Sequence, residues 1–400
     1  MNTQNLNLVD KVIELAKKFG DVDTEVVISN ISDTTVEARN GNVEFSNVSD
    51  NSSISLRVID NKKTAVVSTT SQDDESLKIL VEKAIEIAKN SLENPYDILA
   101  QKNQYFDNSK MENLEIYDHK TDNFSKASIF EELAIAADSA SCQNAKISNT
   151  DGSSAGCSTI EFILCTSNGF KNGYKRSSFY ISSSAIASHK NKMEREYAFE
   201  QRTFLEDLPH PSEIGELAAK RAIDMMGATK PATGNYPVIF NERISSSIIG
   251  HILNAINGET ISRGSSWLNN KMNKNIIPEN YSLIEDPYIL RLSGSRPFDA
   301  EGLPTRKNNF IENGILKSWV MDLKTSLQLG LKSTANALRS NSSLPYPGVG
   351  NIELTGGNST LEDLLNEANE GLMVCSMIGS SINQNNGDYS RGASGYWFKG

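Results

Sequence analysis

The chain has 400 residues, of which 38% are hydrophobic and 22% charged, and a formal net charge of −11. That length accommodates two or three domains each burying a core, the composition is globular, and the acidic balance argues against a duplex nucleic acid partner, which needs a cationic surface to displace counterions. No apolar run approaches the ~18 residues that cross a bilayer, residues 1–10 have neither a basic nor an apolar leader pattern, and the four cysteines (Cys142, Cys157, Cys165, Cys375) lack C-x-x-C spacing, so the reading is a cytoplasmic protein without membrane contact, disulfides or a zinc ribbon.

Residues 8–19 place Val12, Leu15, Ala16 and Phe19 at helical spacing, with Gly20 as the stop. The period then changes to strand and turn: 25–29, 34–39, a turn at Asn40-Gly41, 43–48, 53–59, a turn at Asp60-Asn61, and 64–68. Asn-Gly supplies the positive φ of a type I′ hairpin, which signals an antiparallel pair. Residues 73–89 return to helix, with Leu77, Leu80, Val81, Ala84, Ile85 and Ala88 on one face. The first ninety residues thus read as helix, meander, helix. After a polar connection over 94–113 the same order recurs: helix over 124–140, strands over 145–202 with turns near Asp151-Gly152 and Asn168-Gly169, and helix over 212–226. Element order alone predicts an internal repeat. Pro231 with Gly227 and Gly234 marks the boundary, giving an N-terminal domain over 1–230 and a C-terminal domain over 236–400.

The second part opens with an apolar run, Pro237-Val238-Ile239-Phe240, feeding a helix that starts at Asn241. Asn241 is a cap, Glu242 suits the positive end of the helix dipole, and Asn257-Gly258 is a stop. A hairpin around Asn313-Gly314, a helix over 361–369, a strand over 371–378 and a glycine-rich turn over 386–395 follow. The fold class is α+β: a domain of helices and antiparallel strands in which helix-meander-helix is repeated, then a β-rich domain.

A zinc site needs about four donors from His, Cys and carboxylate, and the histidines (His119, His189, His210, His251) are far apart in the chain. At 100° per residue Glu242 and His251 point to opposite sides of one helix. His251 falls on the ridge of Ile244 and Ile248 and reads as a packed or interface histidine, whereas Glu242 and Ser246 share a face. The stretch from Arg296 to Arg306 sets two arginines, Asp299 and Glu301 between Pro297 and Pro304, and is either a structural ion-pair turn or a functional surface. The glycines around Asp388 lack both the phosphate-loop ending and the dinucleotide spacing.

Several separated segments carry a family resemblance. They are Val36-Glu37-Ala38-Arg39-Asn40-Gly41-Asn42-Val43-Glu44, Gly258-Glu259, Arg263-Gly264-Ser265-Ser266-Trp267-Leu268, Asp286-Pro287, the run from Ser295 through Arg296-Pro297-Phe298-Asp299-Ala300-Glu301-Gly302 to Thr305, and Gly387-Asp388-Tyr389-Ser390-Arg391-Gly392-Ala393-Ser394-Gly395. In this order they resemble the TldD/PmbA metallopeptidase family, in its PmbA (TldE) branch, over nearly the whole chain. The resemblance implies a cytosolic two-subunit peptidase acting on unfolded or extended polypeptides, in which a TldD-type partner supplies an HExxxH helix and holds zinc. On this chain that motif falls on Asn241 to Ser246, where Asn241 and Ser246 replace the histidines and Glu242 remains. The cysteine completing the partner's metal site has no counterpart. The resemblance therefore implies no cofactor in this chain, no catalytic residue beyond Glu242 as a remnant, and a peptide cavity with Ser265, Ser266, Arg296, Asp299, Glu301 and Arg306 as its candidate lining. It also implies that relatives continue past Gly400, so the chain reads as shortened at its C-terminus. Homodimerisation without the partner stays open. The competing expectations are a self-sufficient metallopeptidase and a gyrase-modulating binding protein without peptidase activity.

Overall fold

Helix, meander, helix is what the first ninety residues form. In the computed structural model, which describes residues 3–123, 126–379 and 382–400, α1 (Thr3–Phe19) is followed by β1 (Asp23–Arg39), β2 (Asn42–Asp60), β3 (Lys63–Thr69) and α2 (Asp74–Asn90). The order recurs as α3 (Lys126–Ser141), β4 (Ile147–Thr166), β5 (Lys171–His189), β6 (Lys192–Arg202) and α4 (Pro211–Asp224). Phe124, where the sequence reading starts the third helix, lies outside the described residues. The two meanders join through β1 and β4 into one antiparallel sheet, ordered β3-β2-β1-β4-β5-β6.

One face of that sheet carries the helices. Side chains alternate across a strand, and Val26, Ile28, Ile54, Leu56, Ile163 and Cys165 meet α1 and α2 in one core. Val36, Ala38, Ala155, Cys157, Phe179 and Ile181 build a second core with α3 and α4. Burial pushes the Cys165 thiol up to about 12, the Lys171 charge offsetting only part of the desolvation. Asn40 and Gly41 take positive φ of 52° and 73°, as a type I′ turn requires.

Three details differ from the sequence reading. The strands expected as 25–29 and 34–39 are one strand, and those expected as 43–48 and 53–59 are another: β1 and β2 pair without interruption from Asp23↔Ile59 to Glu37↔Phe45. The polar middle that looked like a break lies on the helix-bearing face between the two cores. There the Asn30 amide donates to Glu161 (2.8 Å) and Ser52 donates to Asn30 (2.7 Å). A notch of about 480 Å³ opens there, lined by Asn30, Ser32, Glu161, Lys175, Tyr117 and Asp122 among others. Second, Asp151-Gly152 makes no turn. It is an irregularity within β4, where the register with β5 slips between Thr150 and Gly152 and Gly152 takes φ 97°, because a bulge rather than a reversal absorbs one extra residue. Third, Asn257 does more than end a helix: its side chain accepts from Glu259 N–H and caps the next helix.

The chain divides into two compact units. The first holds residues 1–227 together with Pro287–Thr305 and Arg339–Pro345; the second holds Ala228–Asp286, Arg306–Leu338 and Tyr346–Gly400. In the first unit the returning segment 287–305 inserts Phe298, which is fully buried, between Phe106, Phe170 and Tyr174 at ring separations of 5.7, 5.3 and 5.3 Å. These rings, with Val27 and Leu164, cover part of the sheet face that carries no helices. Arg291 fixes the same segment by pairing with Glu115 and Asp207 and stacking on Phe204, 4.1 Å from the ring centroid.

The second unit begins with β7 (Val238–Phe240), α5 (Glu242–Ala255), α6 (Gly258–Ser262), β8 (Ser282–Glu285), β9 (Asn308–Glu312) and β10 (Ile315–Leu316). It continues with α7 (Leu323–Gln328), β11 (Ala337–Leu338), β12 (Tyr346–Pro347), β13 (Ile352–Thr355), α8 (Leu361–Ala368), β14 (Glu370–Ile378) and β15 (Gly392–Lys399). Its strands form sheets ordered β10-β9-β8-β13, β11-β12 and β15-β14-β7. Phe310, Ile311, Leu316, Trp319 and Val320 pack with Ile256 and Leu283 as its core. The architecture is α+β, and among the described residues the named strands pair antiparallel except β14 with β7.

Candidate functional site

The strand-to-helix junction at Asn241 forms as the sequence implies. Asn241 N–H donates to Val374 O on β14 at 3.0 Å, which fixes where the helix begins. The Asn241 side-chain oxygen accepts from Arg243 N–H at 3.1 Å, so this amide is committed to capping α5. Glu242 and Ser246, one turn apart, are both exposed on the helix.

The donor chemistry of this helix does not fit a zinc ion. An amide oxygen already holding a backbone N–H and a serine hydroxyl are poor zinc ligands, leaving one carboxylate. Among the described residues, no group of three or more His, Cys, Asp or Glu side chains is placed to hold a metal ion.

His251 sits further along α5, half-buried. Its ring meets Tyr389 edge-on with centroids 5.2 Å apart. Burial, reinforced by the neighbouring Arg391 charge, holds its pKa below the ordinary histidine value. Tyr389 and Arg391 come from the glycine-rich loop before β15, which is held in place where Trp267 N–H donates to Gln384 O at 2.9 Å and where Gly387 lies against the Trp267 ring.

The other candidate residues divide between the units. Ser265, Ser266 and Arg306 belong to the second with Glu242; Arg296, Asp299 and Glu301 belong to the first. Ser265 is half-buried and donates to Thr260 O at 3.3 Å. Ser266 is buried, donating to Ala255 O at 2.5 Å and accepting from Leu268 N–H at 3.0 Å, which ties the segment after α6 to the end of α5. Arg306 is exposed and donates to Ser333 O. In the first unit Asp299 is fully buried; its Oδ1 accepts from Glu301 N–H (2.9 Å) and Leu303 N–H (3.0 Å). Thr305 Oγ1 donates to Arg296 O at 2.6 Å, closing the loop upon itself. Arg296 and Glu301 are buried as well. Arg176, whose guanidinium donates to Ser293 O and Ser295 O, has its pKa lowered mainly by burial, with the Arg296 charge adding to it.

Two features of the second unit went unread. Glu285 is a buried carboxylate that accepts from the Asn308 amide (3.1 Å), the Asn336 amide (2.7 Å) and Gly350 N–H (2.6 Å). Its partners come from residues 23 to 65 positions away, so no local pattern announces it. The Arg391–His251 neighbourhood was equally silent, although an arginine two residues beyond a tyrosine in a glycine-rich loop is a signal that such a loop presents side chains.

This fold, two meanders merged in one sheet followed by a unit that opens strand-into-helix, recurs in solved structures. One titled a putative modulator of DNA gyrase, from Bacteroides thetaiotaomicron, aligns with TM-score 0.90 over 100% of this chain and 88% of its own, at 22% identity. TldE from Thermococcus kodakarensis aligns with TM-score 0.81 over 93% of this chain and 83% of its own, also at 22% identity. Family profiles define the class: PmbA/TldA metallopeptidase domain 1 matches residues 24–88, the central domain 119–226 and the C-terminal domain 233–400. The metalloprotease PmbA homolog of Haemophilus influenzae is 32% identical over 391 residues, covering 97% of this chain and 83% of the relative, and metalloprotease PmbA of Escherichia coli O157:H7 is 30% identical with the same coverage. The chain belongs to the PmbA/TldD metallopeptidase family.

Proposed function

We propose that this chain is the PmbA/TldE-type subunit of a cytoplasmic two-chain metallopeptidase that acts on unfolded or extended polypeptides. One observation carries the reading: at the head of α5 the positions where the family resemblance sets two histidines hold an amide engaged as a helix cap and a serine hydroxyl, with only Glu242 beside them. A helix so equipped keeps its place after β7 without the donors a zinc ion needs. The metal chemistry then belongs to a TldD-type partner, and this chain's own contribution is to stabilise that partner and to bind extended substrate, whose backbone pairs with strand edges with little regard to sequence. No helix among the described residues is long and apolar enough to cross a membrane, which is compatible with a cytoplasmic assembly.

The test is casein cleavage by the purified chain, alone and mixed with the TldD-type subunit of the same cell. The reading expects no cleavage by the chain alone and chelator-sensitive cleavage on mixing. Chelator-sensitive cleavage by the chain alone would establish a self-sufficient peptidase instead.

A further inference from the structure

The notch of about 480 Å³ in the polar middle of the six-stranded sheet lies wholly within the first unit, and its size suits a small molecule. Glu161 on β4 and Lys175 on β5 stand directly opposite each other in the strand register, and both line it. Opposite charges so placed ordinarily meet across the strands, but these two are drawn to separate walls. Glu161 Oε2 accepts from the Asn30 amide (2.8 Å) and from the Asn5 amide of α1 (3.2 Å). The other oxygen, Oε1, has no hydrogen-bond partner among the described residues and is not shut off from solvent. Lys175 is exposed, makes no ion pair among the described residues, and sets its ammonium over the Tyr117 ring, 5.5 Å from the centroid, a weak attraction at an exposed site. Tyr117 is fixed in turn by donating to Asp122 at 2.5 Å. A carboxylate and an ammonium thus face a common opening, each with capacity for a partner. Asp50 and Asp122 also line the notch, so its carboxylates outnumber its one ammonium.

We propose that this notch binds a free α-amino acid as its zwitterion, one with a basic side chain above all. The α-ammonium sits on Glu161 Oε1, the α-carboxylate on Lys175 Nζ, and the side-chain cation lies toward the carboxylates of Asp50 and Asp122. A free amino acid carries both charges on one carbon. A peptide end or a simple amine offers only one of them, so charge-assisted hydrogen bonds form at both walls only with the zwitterion.

Equilibrium dialysis of the full chain against radiolabelled L-arginine, competed with L-argininamide and Nα-acetyl-L-arginine, is the experiment. Arginine should bind at least about tenfold tighter than either derivative, each of which loses one charge-assisted contact. Lys175→Met should weaken arginine binding by a similar factor and leave argininamide unaffected. Glu161→Gln should weaken arginine and leave acetylarginine unaffected. Because Lys175 is exposed, its replacement decides the matter even if Glu161→Gln, which disturbs the Asn30 and Asn5 contacts, fails to fold. L-Glutamate should compete at least about tenfold less well than arginine, its side chain being repelled by the surrounding carboxylates; equal competition overturns the preference for a basic side chain. Equal affinity for arginine and both derivatives, or arginine binding unchanged in Lys175→Met, overturns the zwitterion seat. No arginine binding at millimolar concentration also overturns it, and the two side chains then serve only to pair with each other across the strands.

Discussion

Replacing Glu25 tests how the first unit holds the segment 339–345. Glu25 lies on β1 with its side chain 2% exposed; Arg339 Nη1 is 2.5 Å from its carboxylate and Arg57 Nη1 is 3.8 Å away, their side chains 2% and 4% exposed. At an effective dielectric of about 20 the two gross attractions are about 7 and 4 kcal/mol, most of which desolvation offsets. Two buried arginines share one carboxylate, so the consequences of removing each partner are unequal. Glu25→Gln leaves two uncompensated cations in contact with each other's surroundings and should destabilise by about 3–5 kcal/mol. Arg339→Met leaves a balanced Arg57–Glu25 pair and should cost less, about 1–2 kcal/mol. The double variant should be more stable than the sum of the single losses implies, because Arg339→Met removes one of the orphaned charges. Urea unfolding followed by far-ultraviolet circular dichroism is the assay, since all three tryptophans lie in the second unit and report on it instead. Equal losses for the two single variants, or strict additivity in the double, would refute the surplus-charge argument.

Phe298→Ala removes a fully buried ring from among Phe106, Phe170 and Tyr174, so a loss of about 3–5 kcal/mol and faster proteolysis within 287–305 are expected, with unchanged cleavage kinetics contradicting the anchoring role. Glu285→Gln turns one of the two acceptor oxygens into a donor, facing either Gly350 N–H or the Asn308 and Asn336 amides, and should lower stability of the second unit by about 1–3 kcal/mol, read by tryptophan fluorescence; an unchanged urea midpoint would contradict it. Asp322 caps α7, and burial, with a smaller contribution from Glu259, raises its pKa despite the Thr325 donors. The folded state therefore keeps this proton to higher pH than the unfolded chain: its contribution is present below the ordinary carboxylate pKa and is lost as pH rises through the folded value. Asp322→Asn, which still offers a carbonyl to Thr325, should gain stability relative to the parent between pH 4 and pH 7, and a relative loss over that range would overturn the assignment.

The repeated helix-meander-helix was legible because its signals are local: helical spacing in Leu77 to Ala88, the Asn40-Gly41 turn, and the same element order twice. The lengths of β1 and β2 were not, because hydrophobic alternation reports burial and the middle of these strands faces a polar notch where Asn30, Ser52 and Glu161 satisfy one another. Backbone pairing continues where the apolar signal stops. The return of 287–305 and 339–345 to the first unit depends on partners such as Glu25 for Arg339 and Phe170 for Phe298, hundreds of positions or more than a hundred positions away. At the head of α5, capping chemistry identified Asn241 correctly because the cap acts over two residues. Asp299 was read by its charge among neighbouring arginines, whereas its buried carboxylate serves the backbone of its own loop. The His251–Tyr389 contact joins a helix to a loop more than a hundred positions later, and only the fold brings them together.

On the function proposed above, this chain keeps the helix of a zinc site without its ligands. The most direct test of that reading is the zinc content of the purified, metal-exchanged chain after equilibration with excess zinc and removal of loosely bound ion. The account predicts well below one zinc per chain and no zinc-dependent rise in unfolding temperature. One tightly held zinc per chain, lost on replacing Glu242, would contradict it.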